Sequence, residues 1–142
     1  MISFLKKIYY EKYSKKSYSL SNVDLIIDRI FNKKKKGTFI DVGCNHPIKY
    51  NNTYLLYKKG WSGLNIDFDK ESIAQFNKLR KRDTNVQTLI TSFDGEEKDL
   101  YFYHNRSAIN TLSKELANTR KNKYKEIKKI KGRSLNSVVE ET

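Results

Sequence analysis

The chain of 142 residues has little cysteine, proline or glycine: it contains one Cys, one Pro and six Gly. A single cysteine excludes an intrachain disulfide framework and a zinc site built on paired cysteines, which suits a reducing compartment. Few prolines and glycines, with 37% hydrophobic residues, exclude low-complexity disorder. No apolar run approaches the ~18 residues that span a bilayer, and lysines interrupt the opening residues too early for a signal peptide. We expect a folded, cytoplasmic protein without a membrane span.

Acidic residues are also scarce, and the formal net charge is +13. The excess lies at the two ends: residues 1–36 carry a net charge of +7, residues 37–112 of +1 and residues 113–142 of +5. Of the 29 basic residues 23 are Lys, whereas recognition of bases and phosphates favours Arg. The pattern favours a solvated basic surface over a nucleic acid partner, and leaves a weakly bound anionic polymer or membrane face as the alternative.

Short β-branched runs alternate with helical patterns along the chain. The predicted strands cover residues 38–43, 63–67 and 86–91, and the predicted helices cover residues 21–31, 52–59 and 70–82. A further strand is expected over residues 98–103, without an assignable partner. This alternation indicates an α/β protein with an open, mainly parallel sheet and helices on both faces. We divide the chain into a basic N-terminal helical segment, residues 1–36, and an α/β domain from residue 37.

Local signals fix several details of these elements. Ser21 to Asp24 has the spacing of a capping box, and Val23, Ile26, Ile27 and Ile30 share a helical face that should turn inward. Asp69 is expected to cap the helix over residues 70–82, with Ile73, Phe76 and Leu79 inward. The strand over residues 38–43 is expected to be buried on both faces. Ser134 is expected to cap a last helix whose apolar stripe is Leu135, Val138 and Val139.

Two aspartates stand at or beside the carboxyl ends of the first two strands. Asp41 and Asp67 are 26 residues apart, the spacing expected between the first βα turn and the acidic end of the second strand. A carboxylate in the second position can accept hydrogen bonds from both ribose hydroxyls of an adenosine cofactor. Spacing alone leaves two interpretations equally open. These residues form a nucleotide site, or Asp41 only caps a strand end or helix and Gly43 only forms a turn.

The turn after the first strand distinguishes two nucleotide cofactors. A dinucleotide pyrophosphate needs a G-x-G-x-x-G loop, but here only Gly43 of that pattern is present and Pro47 removes an amide donor. Asp41 would place a negative carboxylate where the doubly charged pyrophosphate would lie. S-adenosylmethionine has a sulfonium and an ammonium in place of phosphates, so an acidic turn suits it better. The chemistry points to a methyl donor.

More than spacing supports this interpretation. Residues 39–47 (FIDVGCNHP) and 50–67 (YNNTYLLYKKGWSGLNID) closely resemble the FkbM family of S-adenosylmethionine-dependent methyltransferases, in the branch with a His-Pro turn. Residues 108–117 (AINTLSKELA) and 131–139 (KGRSLNSVV) resemble the same family in the same order. The resemblance covers roughly residues 37–142. It implies a Rossmann-like methyltransferase fold and O-methylation of a hydroxyl on a sugar or secondary metabolite, that is, a small-molecule or glycan acceptor.

The resemblance also implies roles for particular residues. Asp41, Gly43 and Asn45 would line the methionine end of the donor, Asp67 would bind the ribose, and Phe68 would lie against the adenine. Asn52 and Thr53 match a characteristic pair expected to shape the donor pocket. His46 is a weaker candidate for the base that removes the acceptor's proton, and no catalytic residue is assigned.

The family pattern continues with further strands that these residues do not match. The expectation is therefore an N-terminal portion of the methyltransferase domain over residues 37–142, incomplete at its C-terminus, with a second chain as one way to complete the sheet. The competing hypothesis is a methyltransferase-like module without catalysis, which binds an anionic partner through its lysine-rich ends.

Overall fold

The computed structural model describes residues 15–142, so the first 14 residues of the predicted basic segment lie outside the described part. The helices are α1 (Val23–Ile30), α2 (Tyr54–Lys58), α3 (Lys70–Leu79), α4 (Lys114–Thr119) and α5 (Leu135–Glu140). The strands are β1 (Thr38–Val42), β2 (Ser62–Asp67), β3 (Thr84–Gln87), β4 (Ile90–Thr91), β5 (Glu97–Phe102), β6 (Glu126–Lys131) and β7 (Arg133–Ser134). The chain is a mixed α/β protein with a small parallel sheet.

The first three strands form a parallel sheet in the order β1-β2-β3. The strands alternate with α2 and α3 along the chain, as the sequence predicts. The strand predicted over residues 86–91 is instead two strands: β3 ends at Gln87, and β4 pairs in parallel with β7. The backbone turns away from β2 between them, because the carbonyl of Leu89 accepts from the Arg133 amide at 2.8 Å.

Helices cover the two faces of the sheet unequally. On one face, Val138 of α5 packs against Leu64 and Ile66 of β2. On the other, the predicted inward residues Ile73 and Phe76 of α3 form a cluster with Cys44. The prediction was wrong for Leu79 and Val139, which are 50% and 43% exposed, because both helices contact the sheet along a stripe narrower than the apolar spacing suggested.

Strand β1 is not buried on both faces, contrary to the prediction. Ile40 and Val42 are 49% and 51% exposed, although their register partners on β2, Leu64 and Ile66, are buried. Helix α5 spans only six residues and covers β2 without covering β1. Within residues 15–142, β1 has β2 as its strand partner.

The strand predicted over residues 98–103 is present as β5, shifted by one residue. It pairs in antiparallel register with β6, so that Leu100 faces Lys128 across the ladder. Tyr101 at the end of β5 and Tyr103 just after it are buried, at 5% and 8% exposure. The β5-β6 pair is a two-stranded sheet separate from β1-β2-β3 and from β4-β7.

The N-terminus of α1 is built differently from the predicted capping box. Asn22 occupies the cap position in the left-handed region, with φ 58°, and its side chain makes no cap hydrogen bond. Ser19 Oγ instead accepts from the Val23 amide at 3.2 Å. Asp24 turns back to accept from the Tyr18 amide at 2.7 Å and is fully buried.

The orientation of α1 also differs from the prediction, although Ile27, one of the four residues predicted inward, is half-buried. Val23, Ile26 and Ile30, here called the α1 stripe, point outward and are 36%, 58% and 68% exposed. The helix is turned this way because its two acids are buried: Asp24 accepts from backbone and hydroxyl donors, and Asp28 pairs with Lys59 beside α2. No helix within residues 15–142 has the length and hydropathy needed to cross a membrane.

Candidate functional site

A cavity of about 560 Å³ lies at the carboxyl ends of β1 and β2, in the size range of ligand pockets. Six of the seven residues predicted from the sequence line it: Asp41, Gly43, Asn45, Asn52, Asp67 and Phe68. The seventh, Thr53, is buried behind the wall, where it donates to Asp41. The carboxyl ends of parallel strands meet at one sheet edge, which is why residues 26 positions apart share this cavity.

The turn after β1 is anchored to β2. The amides of Gly43 and Cys44 both donate to the Ile66 carbonyl, at 2.8 and 3.2 Å. Gly43 has φ 73°, a conformation that glycine adopts without strain. A Cβ atom placed on Gly43 would meet no protein atom within 4 Å, so this side of the turn opens into the cavity.

Asp67 ties the two strand ends together. Its Oδ2 accepts from the Asn45 amide and its Oδ1 from the Asp69 amide, both at 2.9 Å. Asn45 offers its amide from the left-handed region, with φ 51°, which asparagine tolerates better than most residues. Two amides leave roughly half of the ~4 acceptor positions of the carboxylate for a ligand. Burial raises the pKa of Asp67, although the two amides oppose this effect.

Asp41 stands on the opposite side of the same turn. Its Oδ2 accepts from Thr53 Oγ1 at 2.9 Å and from Asn51 Nδ2 at 3.3 Å. Its other oxygen has no partner among these hydrogen bonds. Burial raises the pKa of Asp41, with the hydrogen bonds from Thr53 and Asn51 acting in the opposite direction. The cavity therefore contains two carboxylates whose charged forms are poorly solvated by the protein itself.

A buried arginine that the sequence analysis missed supports Asp41. Arg80 is fully buried directly after α3, where its Nε donates to Asp83 Oδ2 at 2.8 Å. Its two terminal nitrogens donate to the Pro47 carbonyl and to Thr53 Oγ1, both at 3.1 Å. The guanidinium thus holds both ends of the segment that carries Asn51 and Thr53. The only indication of this role in the sequence was the i,i+3 spacing between Arg80 and Asp83, which permits an ion pair.

His46 forms part of the turn's internal structure. Its Nδ1 accepts from the amides of Ile48 and Lys49 at 3.1 and 3.0 Å, which assigns the proton of the neutral ring to Nε2. Burial, followed by the charges of Arg106 and Lys49, lowers the pKa of His46. A neutral ring with its accepting nitrogen already occupied cannot take a proton from an acceptor, so the structure does not favour His46 as the base.

The wall opposite the turn brings further polar groups into the cavity, which no sequence motif indicated. Arg106 lies in a left-handed conformation with φ 56°, and its amide donates to Asp69 Oδ2 at 2.8 Å. Arg106 Nε and Ser72 Oγ are buried and make no hydrogen bond within the described residues. Both residues line the cavity. They are unused polar groups available to a polar ligand.

The cysteine in the turn is a packing residue. Cys44 is 5% exposed and contacts Ile73 and Phe76. Burial, together with the nearby carboxylates of Asp67 and Asp41, raises the pKa of its thiol far above the ordinary range. A thiol held in its protonated form is a poor nucleophile. Cys44 therefore serves the core beneath the turn.

Comparison with known proteins gave no match: no family model, curated protein or solved structure resembles the chain significantly. Within residues 15–142, no three side chains of His, Cys, Asp or Glu form a cluster that could hold a metal ion.

Proposed function

We propose that the cavity binds S-adenosylmethionine and that the chain is an S-adenosylmethionine-dependent methyltransferase with a Rossmann-like fold. The observation that carries the proposal is the meeting of Asp41 and Asp67 beside the open turn at Gly43. Three parallel strands with helices on both faces, and a cavity at their carboxyl ends, are compatible with such a fold. The resemblance of residues 37–142 to the FkbM family supports the same interpretation.

The two carboxylates at the turn favour a cationic group in the ligand, although Lys49 and Arg106 also line the cavity. Burial raises the pKa of both Asp41 and Asp67, so each charged carboxylate lacks solvation that a positive ligand would supply. A phosphate-bearing cofactor would add negative charge to the same place. S-adenosylmethionine instead carries a sulfonium and an ammonium, and its donor chemistry is an activated methyl group.

Each lining residue has a position that suits a part of this ligand. Asp41 and Asn45 flank the open side of the turn, where the sulfonium and the methionine portion would lie. The acceptor positions that Asp67 leaves free suit the ribose hydroxyls, and Phe68, which follows β2 directly, offers a ring to the adenine. Asn52 contributes to the cavity wall, while Thr53 fixes the Asp41 carboxylate by its hydrogen bond.

The expected reaction is transfer of a methyl group to a hydroxyl of a sugar or secondary metabolite. In such an in-line displacement, the protein's main contribution is alignment of the two reactants. The turn residues would orient the donor. The acceptor class rests on the resemblance alone.

A calorimetric titration with S-adenosylmethionine, which carries the sulfonium charge that S-adenosylhomocysteine lacks, tests the site. Asp41→Asn can keep the bonds to Thr53 and Asn51 through its amide oxygen while removing the charge, so it should bind about tenfold or more weakly without loss of stability. Asp67→Ala should abolish binding, but it also leaves the amides of Asn45 and Asp69 without an acceptor. The matched control is Asp99→Asn, at an exposed site on β5. Equal affinities of the wild type and Asp41→Asn would contradict the proposed site.

The second candidate is a module that binds an anionic polymer without catalysis. The observation in its favour is that His46, the candidate base of the turn, has its accepting nitrogen occupied by two amides. Titration with single-stranded RNA and DNA at increasing salt distinguishes the two proposals. Salt-sensitive polymer binding without any heat from S-adenosylmethionine would favour the module. Methyl transfer from labelled donor to a sugar hydroxyl would exclude it.

A further inference from the structure

The α1 stripe is a continuous apolar surface on the outside of the protein. Val23, Ile26 and Ile30 lie on one side of the helix, at spacings of three and four residues, and Ile26 and Ile30 are more than half exposed. Phe31, which follows at the end of the helix, is 44% exposed and packs edge-on against Trp61. An amphipathic helix normally buries such a stripe, so its outward position requires an explanation.

Two buried acids fix the helix in this orientation. Asp24 is fully buried and accepts from the Tyr18 amide, the Ser17 hydroxyl and the Leu25 amide. Asp28 is 6% exposed and pairs with Lys59. Rotating α1 to bury the stripe would break these bonds and expose a carboxylate pair that the surrounding residues already satisfy. The stripe is therefore held outward by the folded structure.

The surface next to the stripe is positive. Residues 29–36 contain Arg29 and the run Lys33 to Lys36, all exposed, and no acidic residue. The two acids of α1 point inward, so they do not neutralise this charge. Lys34 lies over the Trp61 ring at 5.6 Å, which places the start of the run beside Phe31. The outer side of α1 thus combines aliphatic side chains with cations that form no ion pair within residues 15–142.

We propose that this surface binds the face of an anionic lipid bilayer, with the α1 stripe in the headgroup region and the lysine run against acidic headgroups. A helix with an apolar stripe and flanking lysines is the usual form of an interfacial anchor. The charge argues against a second copy of the chain, since two such surfaces would repel each other. Three of the four exposed apolar side chains of this surface are aliphatic and four of its five cations are lysines, whereas nucleic acid bases stack on aromatic and arginine side chains.

Co-sedimentation of the full chain with vesicles tests the proposal. Binding is expected with vesicles of phosphatidylcholine mixed with phosphatidylserine, and not with phosphatidylcholine alone. Ile26→Asp should weaken binding at least tenfold, and Lys33→Gln with Lys35→Gln about fivefold for each lysine. The matched controls are Leu116→Asp, at a 45% exposed position on α4, and Lys121→Gln with Lys123→Gln; both should bind like the wild type.

A fluorescent label on the stripe distinguishes insertion from other ways of covering it. Ile26→Cys provides a reactive thiol, because Cys44 is buried and its thiol pKa is raised. An environment-sensitive label at residue 26 should report a polar surrounding in the free chain and an apolar one with phosphatidylserine vesicles. This readout does not depend on the proposed methyl donor.

Four results would overturn the proposal. Equal binding to both kinds of vesicle, or to neither, would exclude recognition of an anionic bilayer. Unchanged binding of Ile26→Asp would show that the stripe does not enter the headgroup region. A label that is already shielded in the monomeric free chain would assign the stripe to a cover formed by residues 1–14. Self-association that Ile26→Asp abolishes would assign it to a second copy.

Discussion

Replacing Arg80 by methionine should destabilise the protein far more than a typical substitution. The guanidinium is fully buried and its Nε pairs with Asp83, which is also fully buried. Its other nitrogens donate to the Pro47 carbonyl and to Thr53 Oγ1. Its Cζ atom lies 4.5 Å from the centre of the Tyr57 ring. Methionine can fill much of the volume but satisfies none of these acceptors.

The magnitude follows from the burial of the pair. Removing one partner of a buried ion pair costs about 3–5 kcal/mol, because the other charge stays behind without compensation. Here the cost should lie towards the lower end, since Asp83 also accepts from the Gly63 amide at 3.0 Å and from Asn65 at 2.9 Å. A loss of about 3 kcal/mol is a large fraction of the 5–15 kcal/mol of an ordinary domain.

Urea unfolding followed by the fluorescence of Trp61 measures this loss. Trp61 is the protein's one tryptophan and is 4% exposed, so its emission reports directly on the core. Arg82→Met is the matched control: Arg82 is exposed and lies over the Tyr57 ring at 3.9 Å, an interaction of about 0.5–1 kcal/mol. If Arg80→Met lowers the free energy of unfolding no more than Arg82→Met does, at equal m-values, Arg80 does not hold the segment that carries Asn51 and Thr53 in place.

Two further predictions concern the site and the sheet. Because burial raises the pKa of Asp41 and Asp67, a cationic ligand must displace protons at low pH, so calorimetric affinity for S-adenosylmethionine should increase as pH rises above the ordinary aspartate value and then level off. Over the same interval the free energy of unfolding of the free wild type should decrease relative to that of Asp41→Asn, since folded wild-type protein keeps a proton on Asp41 that the unfolded chain has released; a flat pH dependence of the affinity and of this difference would contradict the argument. Gly63→Ala should destabilise the protein by about 1–3 kcal/mol in the urea assay, because its Cβ would lie 2.4 Å from the Phe39 carbonyl oxygen, and wild-type stability would show that the sheet adjusts instead.

Several elements set by local signals agree with the sequence analysis, although the capping box at Ser21 and the single strand over residues 86–91 do not. Asp69 caps α3 as predicted, with the Ser72 amide donating to its Oδ1 at 2.9 Å, and Ser134 caps α5 through the Ser137 amide at 3.2 Å. Short β-branched runs located β1 and β2 to within a residue. The proximity of Asp41 and Asp67 was predictable for the same reason, because adjacent parallel strands end at the same edge.

Features that depend on distant partners could not be predicted. Periodicity showed that Ile26 and Ile30 share a face, but the burial of Asp28 beside Lys59 decides which face turns inward. In the same way, the exposure of Ile40 depends on the reach of α5, almost a hundred residues further along the chain. Arg80 resembled an ordinary exposed cation at a helix end until its contacts with the turn were known.

The two amides that converge on Asp67 have a consequence for local dynamics. The Asn45 and Asp69 amides belong to different loops, yet each ends on an oxygen of the same carboxylate. Whatever weakens that carboxylate as an acceptor, such as its protonation, loosens both loops at once, so their hydrogen–deuterium exchange should accelerate together. One side chain thereby couples the opening of two loops whose bonded amides, at Asn45 and Asp69, are 24 residues apart.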